Sequence, residues 1–192
     1  MSSAPKLQTP ADYWEIEKDS EIRHEFFQGE VFAMTGGSPK HALIAANFIR
    51  HAGTALEDGP CVVYTGDLRI KVKSSGLHTY PDASIICGDL ELDDTVPHTV
   101  LNPTVLVEVL SDSTEKYDRG AKSSNYRKIE TLKELILVSQ DQPLVERYAR
   151  TETGWLLTEA SGLDSTLELE SVQASITLSE LYRSVDFDVP AE

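Results

Sequence analysis

Glu108 stands alone in the otherwise apolar stretch TVLVEVL, residues 104–110. A run so rich in β-branched residues reads as a strand covered on both faces. A carboxylate buried there is costly unless a cation or hydrogen-bond donors meet it. Pairing with one arginine, or reaching solvent at the strand end, would satisfy it without any chemistry. Asp82 adds a second acid, following Pro81 at the head of ASIIC, although Pro-Asp is also a common turn pair. If these two strands are neighbours, both carboxylates can point to one side of the sheet. Oxygen donors with no Cys or His beside them suit Mg²⁺ or Mn²⁺ rather than zinc. Lys122 is the third candidate. On a helix it falls within about 60° of Asp118, Asn125, Tyr126 and Ile129, and the segment has no better apolar stripe, so that face should turn inward. An inward amine beside two carboxylates suits stabilising a phosphorane-like transition state or positioning an attacking water. A solvated helix lysine is the ordinary alternative.

The elements that must position these groups follow from the periodicity. Thr9-Pro10, with Asp12 three residues after the cap, opens a short helix that buries Tyr13, Trp14 and Ile16. RHEFFQGEVFAM reads as a hairpin around Gln28-Gly29. Ser38-Pro39 starts a helix running to about Glu57, ended by Asp58-Gly59. Its apolar stripe is Ile44, Ala45, Phe48, Ala52, Ala55 and Leu56, and His41 falls on it. The period then changes to two: CVVYTG, LRIKVK and PDASIIC read as strands. Asp89 to Pro103 reads as a solvated acidic loop. A helix is expected from Ser113 to about Leu132. Strands ELILVS, LVERYAR and WLLTEA and a short helix near Leu178–Tyr182 complete the order. This is an α/β or α+β fold with a mixed β-sheet flanked by helices. It reads as one domain over residues 1–192, with a core of about 10–150 and C-terminal strands and a short helix in 151–192.

The 192 residues are 40% hydrophobic, with 17 Lys+Arg against 32 Asp+Glu for a net charge of −15. A chain of this length builds a core without a metal or disulfide. The charge argues against coating long duplex through a basic surface, but leaves room for a small basic cleft or for bound cations. Arg69, Lys71 and Lys73 alternate onto one strand face, and Lys116, Arg119, Lys122, Arg127 and Lys128 cluster on one helix; together they could line such a cleft. No apolar run is long enough to span a bilayer, and the first ten residues lack the apolar core of a secretory signal. Cys61 and Cys87, far apart and without metal-type spacing, read as reduced thiols in a cytoplasmic protein. No GxSxG, Walker or dinucleotide glycine motif is present. Ser111-Asp112-Ser113 reads as a helix cap, and His78 and His98 have no partner at ligand spacing.

Taken together, PD at a strand start, E in an apolar strand and K nearby resemble the PD-(D/E)XK nuclease superfamily. Within it, RHEFFQGEVFAM, SPKHALIAANF, YPDASII, VLVEVLSDST and YDRGAKSSNY occur in the order of the family described as putative restriction endonucleases, long a domain of unknown function. The superfamily lysine would stand two residues after the acid, where this chain has Leu110; Lys122 matches a lysine moved to the following helix. The resemblance implies a restriction endonuclease-like core and Mg²⁺-dependent (or Mn²⁺-dependent) hydrolysis of DNA phosphodiester bonds. It implies that Asp82, Glu108 and the carbonyl of Val109 hold the metal, that Glu25 extends its shell and that Lys122 orients the water. Glu25 could equally be a hairpin surface carboxylate. His41, Asp118 and Tyr126 form a second tier, with His41 reaching a phosphate or lying in the core. A homodimer is expected, since cutting both strands favours paired copies and the late strands offer an apolar edge. Two alternatives stand beside this: a binding or scaffold module of the same fold, and a phosphodiesterase acting on a small nucleotide.

Overall fold

The computed structural model describes residues 7–188; the leader reading rests largely on residues 1–6, which lie outside them. The chain opens with α1 (Pro10–Glu17), capped by Thr9 and Asp12 in a reciprocal box as the sequence signals. Tyr13 is buried in this helix, but Ile16 faces solvent. The hairpin follows as β1 (His24–Phe27) and β2 (Glu30–Ala33), turning on Gln28 and Gly29, both at positive φ. The helix α2 (Pro39–Ala55) is capped by Ser38. Next come β3 (Cys61–Thr65), β4 (Arg69–Val72), β5 (Leu77–Thr79), β6 (Ala83–Cys87), β7 (Thr99–Val100) and β8 (Val105–Leu110).

The expected long helix after β8 is broken up. It consists of α3 (Glu115–Tyr117), a π-helical turn over Asp118–Lys122 and α4 (Ser123–Tyr126), and it stops well short of Leu132. Arg127 to Leu132 instead forms turns whose carbonyls at Arg127, Ile129 and Leu132 receive the Arg150 guanidinium. The chain then runs through β9 (Glu134–Ser139), β10 (Leu144–Arg150), β11 (Trp155–Ser161), β12 (Thr166–Leu169), a 3₁₀ turn (Glu170–Val172), β13 (Ala174–Thr177) and α5 (Leu178–Leu181).

The central sheet has the order β11-β10-β9-β8-β6-β3, and a second sheet has the order β2-β1-β5-β4-β7. Only β8·β9 in the first and β4·β7 in the second are parallel, so both sheets are mixed. Along β8, Val105, Val107 and Val109 pack against α2, α5 and the β12–β13 ribbon, while Leu106 and Leu110 pack toward the second sheet and Tyr126. Burial on both faces explains why the strand reads as an unbroken apolar run.

Several expectations need correction. Cys61 and Cys87 are not reduced thiols: directly opposed in the antiparallel β3–β6 register, their side chains share a face and form a disulfide. That removes the reduced-thiol basis for assigning a compartment. No helix among the described residues is long and apolar enough to cross a membrane. The acidic loop is organised rather than simply solvated. Asp93 accepts hydrogen bonds from Lys71, Thr95 and the Val96 amide, and β7 adds a strand to the second sheet. His78 is buried in β5 between Tyr13 and Phe26, and the apolar setting pulls its imidazole pKa down to about 4.

Candidate active site

Two strand registers converge on one point. Ala83 pairs with Val107 in the antiparallel β6–β8 ladder, so the next pair outward is Asp82 and Glu108. Opposed residues in such a ladder point to the same face, and here that is the face turned toward the second sheet. Past this point β6 has ended, and Asp82 takes its place on the strand edge: its Oδ2 accepts the Val109 amide at 2.7 Å. On a β-strand a residue's N–H and C=O leave by the same edge, so the Val109 carbonyl lies on the Asp82 side as well.

Lys122 enters from the π-helical turn, where the Ser123 amide bonds the Asp118 carbonyl five residues back. This turn orients Asp118 and Lys122 inward together, and both are buried. The Lys122 ammonium lies 2.9 Å from Glu108 Oε1, 3.2 Å from Glu25 Oε1 and 3.6 Å from Asp118 Oδ1. Tyr126 donates to the same Glu108 Oε1 at 2.6 Å, so Lys122 and Tyr126 both use that oxygen. The sequence-derived set Asp82, Glu108, Lys122, Glu25, Asp118 and Tyr126 is therefore brought together. Glu25 is buried, not on the hairpin surface.

His41 is neither a core residue nor free. Its Nε2 lies 3.1 Å from Asp82 Oδ2 at the rim. Two residues that sequence reasoning missed complete the shell. Thr79 donates to Glu25 Oε1, and Tyr117 donates to Glu25 Oε2 at 3.1 Å. The only signal for Tyr117 was its place one residue before Asp118; Thr79 lay in a strand too short to read.

Burial drives the Glu108 pKa well up, opposed by Lys122 and reinforced by Asp82 and Asp118. Burial alone would strip the Lys122 proton, but the charge of Glu108, followed by Tyr126 and Glu25, holds its pKa well above the ordinary lysine value. In an isolated pair these directions would oppose each other. Here three carboxylates, Glu25, Glu108 and Asp118, surround one ammonium and keep it charged. Burial likewise raises the pKa of Asp118, again against Lys122.

These groups border a cleft of about 680 Å³ lined by seven carboxylates against Arg23, Lys122 and His41. The expected basic channel does not line this cleft, and most of its cations are engaged elsewhere. Arg69 is stacked between Trp14 and Tyr80 and bonds Tyr80, while Lys71 pairs with Asp93 at 2.7 Å and Lys73 with Glu91 at 3.5 Å. Arg119 pairs with Glu115 and Glu146, and Arg127 lies over the Tyr148 ring.

The carboxylates and the Val109 carbonyl are oxygen donors of the kind that suits Mg²⁺ or Mn²⁺, but the expectation that no histidine lies beside them is corrected: His41 stands 3.1 Å from Asp82. Among the described residues no three His, Cys, Asp or Glu side chains form a metal cage by themselves. A Mg²⁺ site typically takes one or two carboxylates and keeps several waters. Asp82, Glu108 and the Val109 carbonyl are the oxygen donors that stand together on this strand edge.

Gly37 sets the position of His41. A Cβ there would meet His41 Nδ1 at 2.5 Å and Cγ at 2.7 Å. Burial pulls the His41 pKa down, and the hydrogen bond and charge of Asp82 more than offset this, so the net direction is upward. Gly37→Ala should push the ring off Asp82 and bring its titration down toward the ordinary histidine value, as read from the imidazole proton in NMR. An unchanged midpoint would show that the ring keeps its partner.

Comparison with known proteins agrees with this architecture. Residues 10–180 match the family model Uma2, described as "Putative restriction endonuclease". Two uncharacterized proteins of Synechocystis are similar along most of their length. One is 33% identical over 184 residues, 95% of each chain. The other is 31% identical over 164 residues, 85% of this chain and 93% of its own. A crystal structure from Anabaena variabilis, described as "a putative nuclease belonging to DUF820", superposes with a TM-score of 0.74 at 14% identity. The match covers 93% of this chain and 98% of that one, and at that identity it speaks for the fold.

Proposed function

The chain belongs to the Uma2 family of restriction endonuclease-like proteins, and we propose that it hydrolyses phosphodiester bonds of DNA with Mg²⁺ or Mn²⁺. Asp82, Glu108 and the Val109 carbonyl would hold the ion. Bound there, it would supply Lewis-acid polarisation of the phosphate. Lys122 places a fixed positive charge where negative charge develops on the phosphoryl oxygens, in a buried setting where it needs no reorganisation. Glu25 and Asp118 hold that ammonium in place, and Tyr126 fixes the Glu108 carboxyl. A pair of copies joined along β11, where Leu156 and Leu157 are 55% and 44% exposed, would bring two such sites to the two strands of a duplex.

The observation that carries this reading is the register of β6 and β8, which sets Asp82 and Glu108 side by side with Lys122 2.9 Å from the latter. A supercoiled-plasmid nicking assay tests it. Nicking is expected with Mn²⁺ or Mg²⁺ and none in EDTA; metal-independent nicking, or no nicking in any divalent ion, would sink the reading.

The acidic lining favours a second substrate class, a small nucleotide diester, which needs no extended basic track. Calorimetry would separate the readings. Metal binding without nicking points to a small nucleotide, and no metal binding points to a binding module that keeps the fold.

A further inference from the structure

The β1–β2 hairpin turns one face to α1 and the other to the cleft. On the α1 side Phe26 packs against Tyr13 and His78, and Val31 joins them. Alternation along each strand therefore sends Glu25 and Phe32 to the opposite face. The antiparallel register pairs these two residues directly. Past the end of the strands the Met34 amide donates to the Arg23 carbonyl at 2.9 Å, which carries the ladder one step further. Arg23, Glu25, Phe32 and Met34 all line the cleft.

Phe32 lies on the edge strand of the second sheet and is 47% exposed. Its partner Glu25 is buried, with a carboxylate oxygen 3.2 Å from Lys122. Directly opposed side chains start roughly 5 Å apart, so the ring stands one strand out from the carboxylates around the ammonium. Arg23 adds a cation beside it. The guanidinium lies 5.6 Å from the Tyr80 ring centroid and pairs with Asp67. Those two side chains are 46% and 74% exposed, and an ion pair so open to water is weak. Gly66, next to Asp67, lies against the Asp82 backbone: a Cβ there would meet the Asp82 carbonyl oxygen at 3.5 Å. The Arg23–Asp67 pair thus sits at the Asp82 end of the cleft. Lys122 is enclosed by three carboxylates and His41 is held by Asp82. Of the cations lining the cleft, Arg23 is the one whose partner a phosphate can replace.

We infer that Phe32 and Arg23 bind one unpaired nucleotide beside the cleaved diester: its base stacks on the Phe32 ring, and an adjoining phosphate takes the place of Asp67 on Arg23. This rests on the phosphodiesterase reading above and narrows its substrate class. In a duplex the base faces are covered by their neighbours and only edges show in the grooves. A stacking platform therefore accepts bases from a single strand or a free dinucleotide. Stacking adds affinity without positive charge, which suits a cleft whose lining is mostly acidic. Met34 offers the same base a polarisable thioether, a good neighbour for the edge of an aromatic ring.

The test uses the full chain in EDTA, with thymidine dinucleotide and an abasic dinucleotide of the same charge as probes. The Phe32 ring resonances should shift with the thymidine probe, which should bind about tenfold tighter than the other, the worth of one base on one ring. Phe32→Leu keeps an apolar side chain without the ring face and should abolish the preference, whereas Phe32→Trp should keep it. Arg23→Gln should weaken both probes, and Asp67→Asn should tighten both by freeing Arg23. Equal affinity for the two probes, a preference kept in Phe32→Leu, or Arg23→Gln binding as the parent does, overturns the subsite. Octathymidylate binding about tenfold tighter than the dinucleotide would give a strand as the source, and equal binding a free dinucleotide; both carry the subsite. With Mn²⁺, a single strand should be cut with a kcat/KM about tenfold above that of the same sequence in a duplex, and Phe32→Leu should remove the difference through KM. Equal cutting of both forms would leave the nuclease reading standing and remove the subsite. A Phe32-dependent base preference without cutting would do the reverse.

Discussion

Lys122→Met is expected to cost about 3–5 kcal/mol of folding stability at pH 7, because it leaves buried carboxylates around an empty position. The ammonium faces Glu25, Glu108 and Asp118 together, so its loss is not the loss of one surface ion pair. The penalty should depend on pH with a defined sign. Burial raises the Glu108 pKa even with the lysine present, and removing the lysine removes the main opposing influence. The folded state of the variant then binds more protons than the unfolded state at every pH above the ordinary carboxylate value, near 4.3, up to the raised one. Stability must therefore fall as pH rises through that window. Urea unfolding at pH 5 and pH 8 should show the deficit shrinking at the lower value, and a deficit independent of pH would contradict the geometry. Nicking should fall by about 10²–10³-fold, as when one preorganised charge is removed from a developing oxyanion.

Asp82→Asn should separate chemistry from stability. The Asp82 side chain is 20% exposed, and an asparagine oxygen can still accept the Val109 amide. Its melting temperature should stay within about 4 °C of the parent, the shift expected for roughly 1 kcal/mol in a chain of this size. The calorimetric signal for Mn²⁺ and the nicking activity should both disappear, activity by about 10²–10³-fold. Retained Mn²⁺ binding in this variant would remove Asp82 from the metal site and with it the proposed arrangement.

Much of the positioning was legible because it depends on period and capping. Thr9 and Ser38 cap the helices they signal, Gln28-Gly29 turns the hairpin, and the isolated Glu108 in an apolar strand marks the centre of the site. The inward face of Lys122 with Asp118 and Tyr126 was also readable from helical spacing, although the segment is α, then π, then α. What the sequence hid was pairing between distant parts of the chain. The partners of Arg69, Lys71 and Lys73 lie in other elements, Glu17 at 3.8 Å and Asp93 and Glu91 in the acidic loop, so a basic strand face became a set of internal ion pairs. The Cys61–Cys87 bond was hidden for the same reason, since it depends on the β3–β6 register.

A cavity walled by carboxylates imposes an order of addition on whatever enters it. A polyanion arriving first meets net repulsion, whereas a divalent ion arriving first cancels it. Thermodynamic linkage makes the benefit mutual: whatever factor the ion contributes to nucleotide affinity, the nucleotide returns to ion affinity. Titrations of one against fixed amounts of the other should move in step.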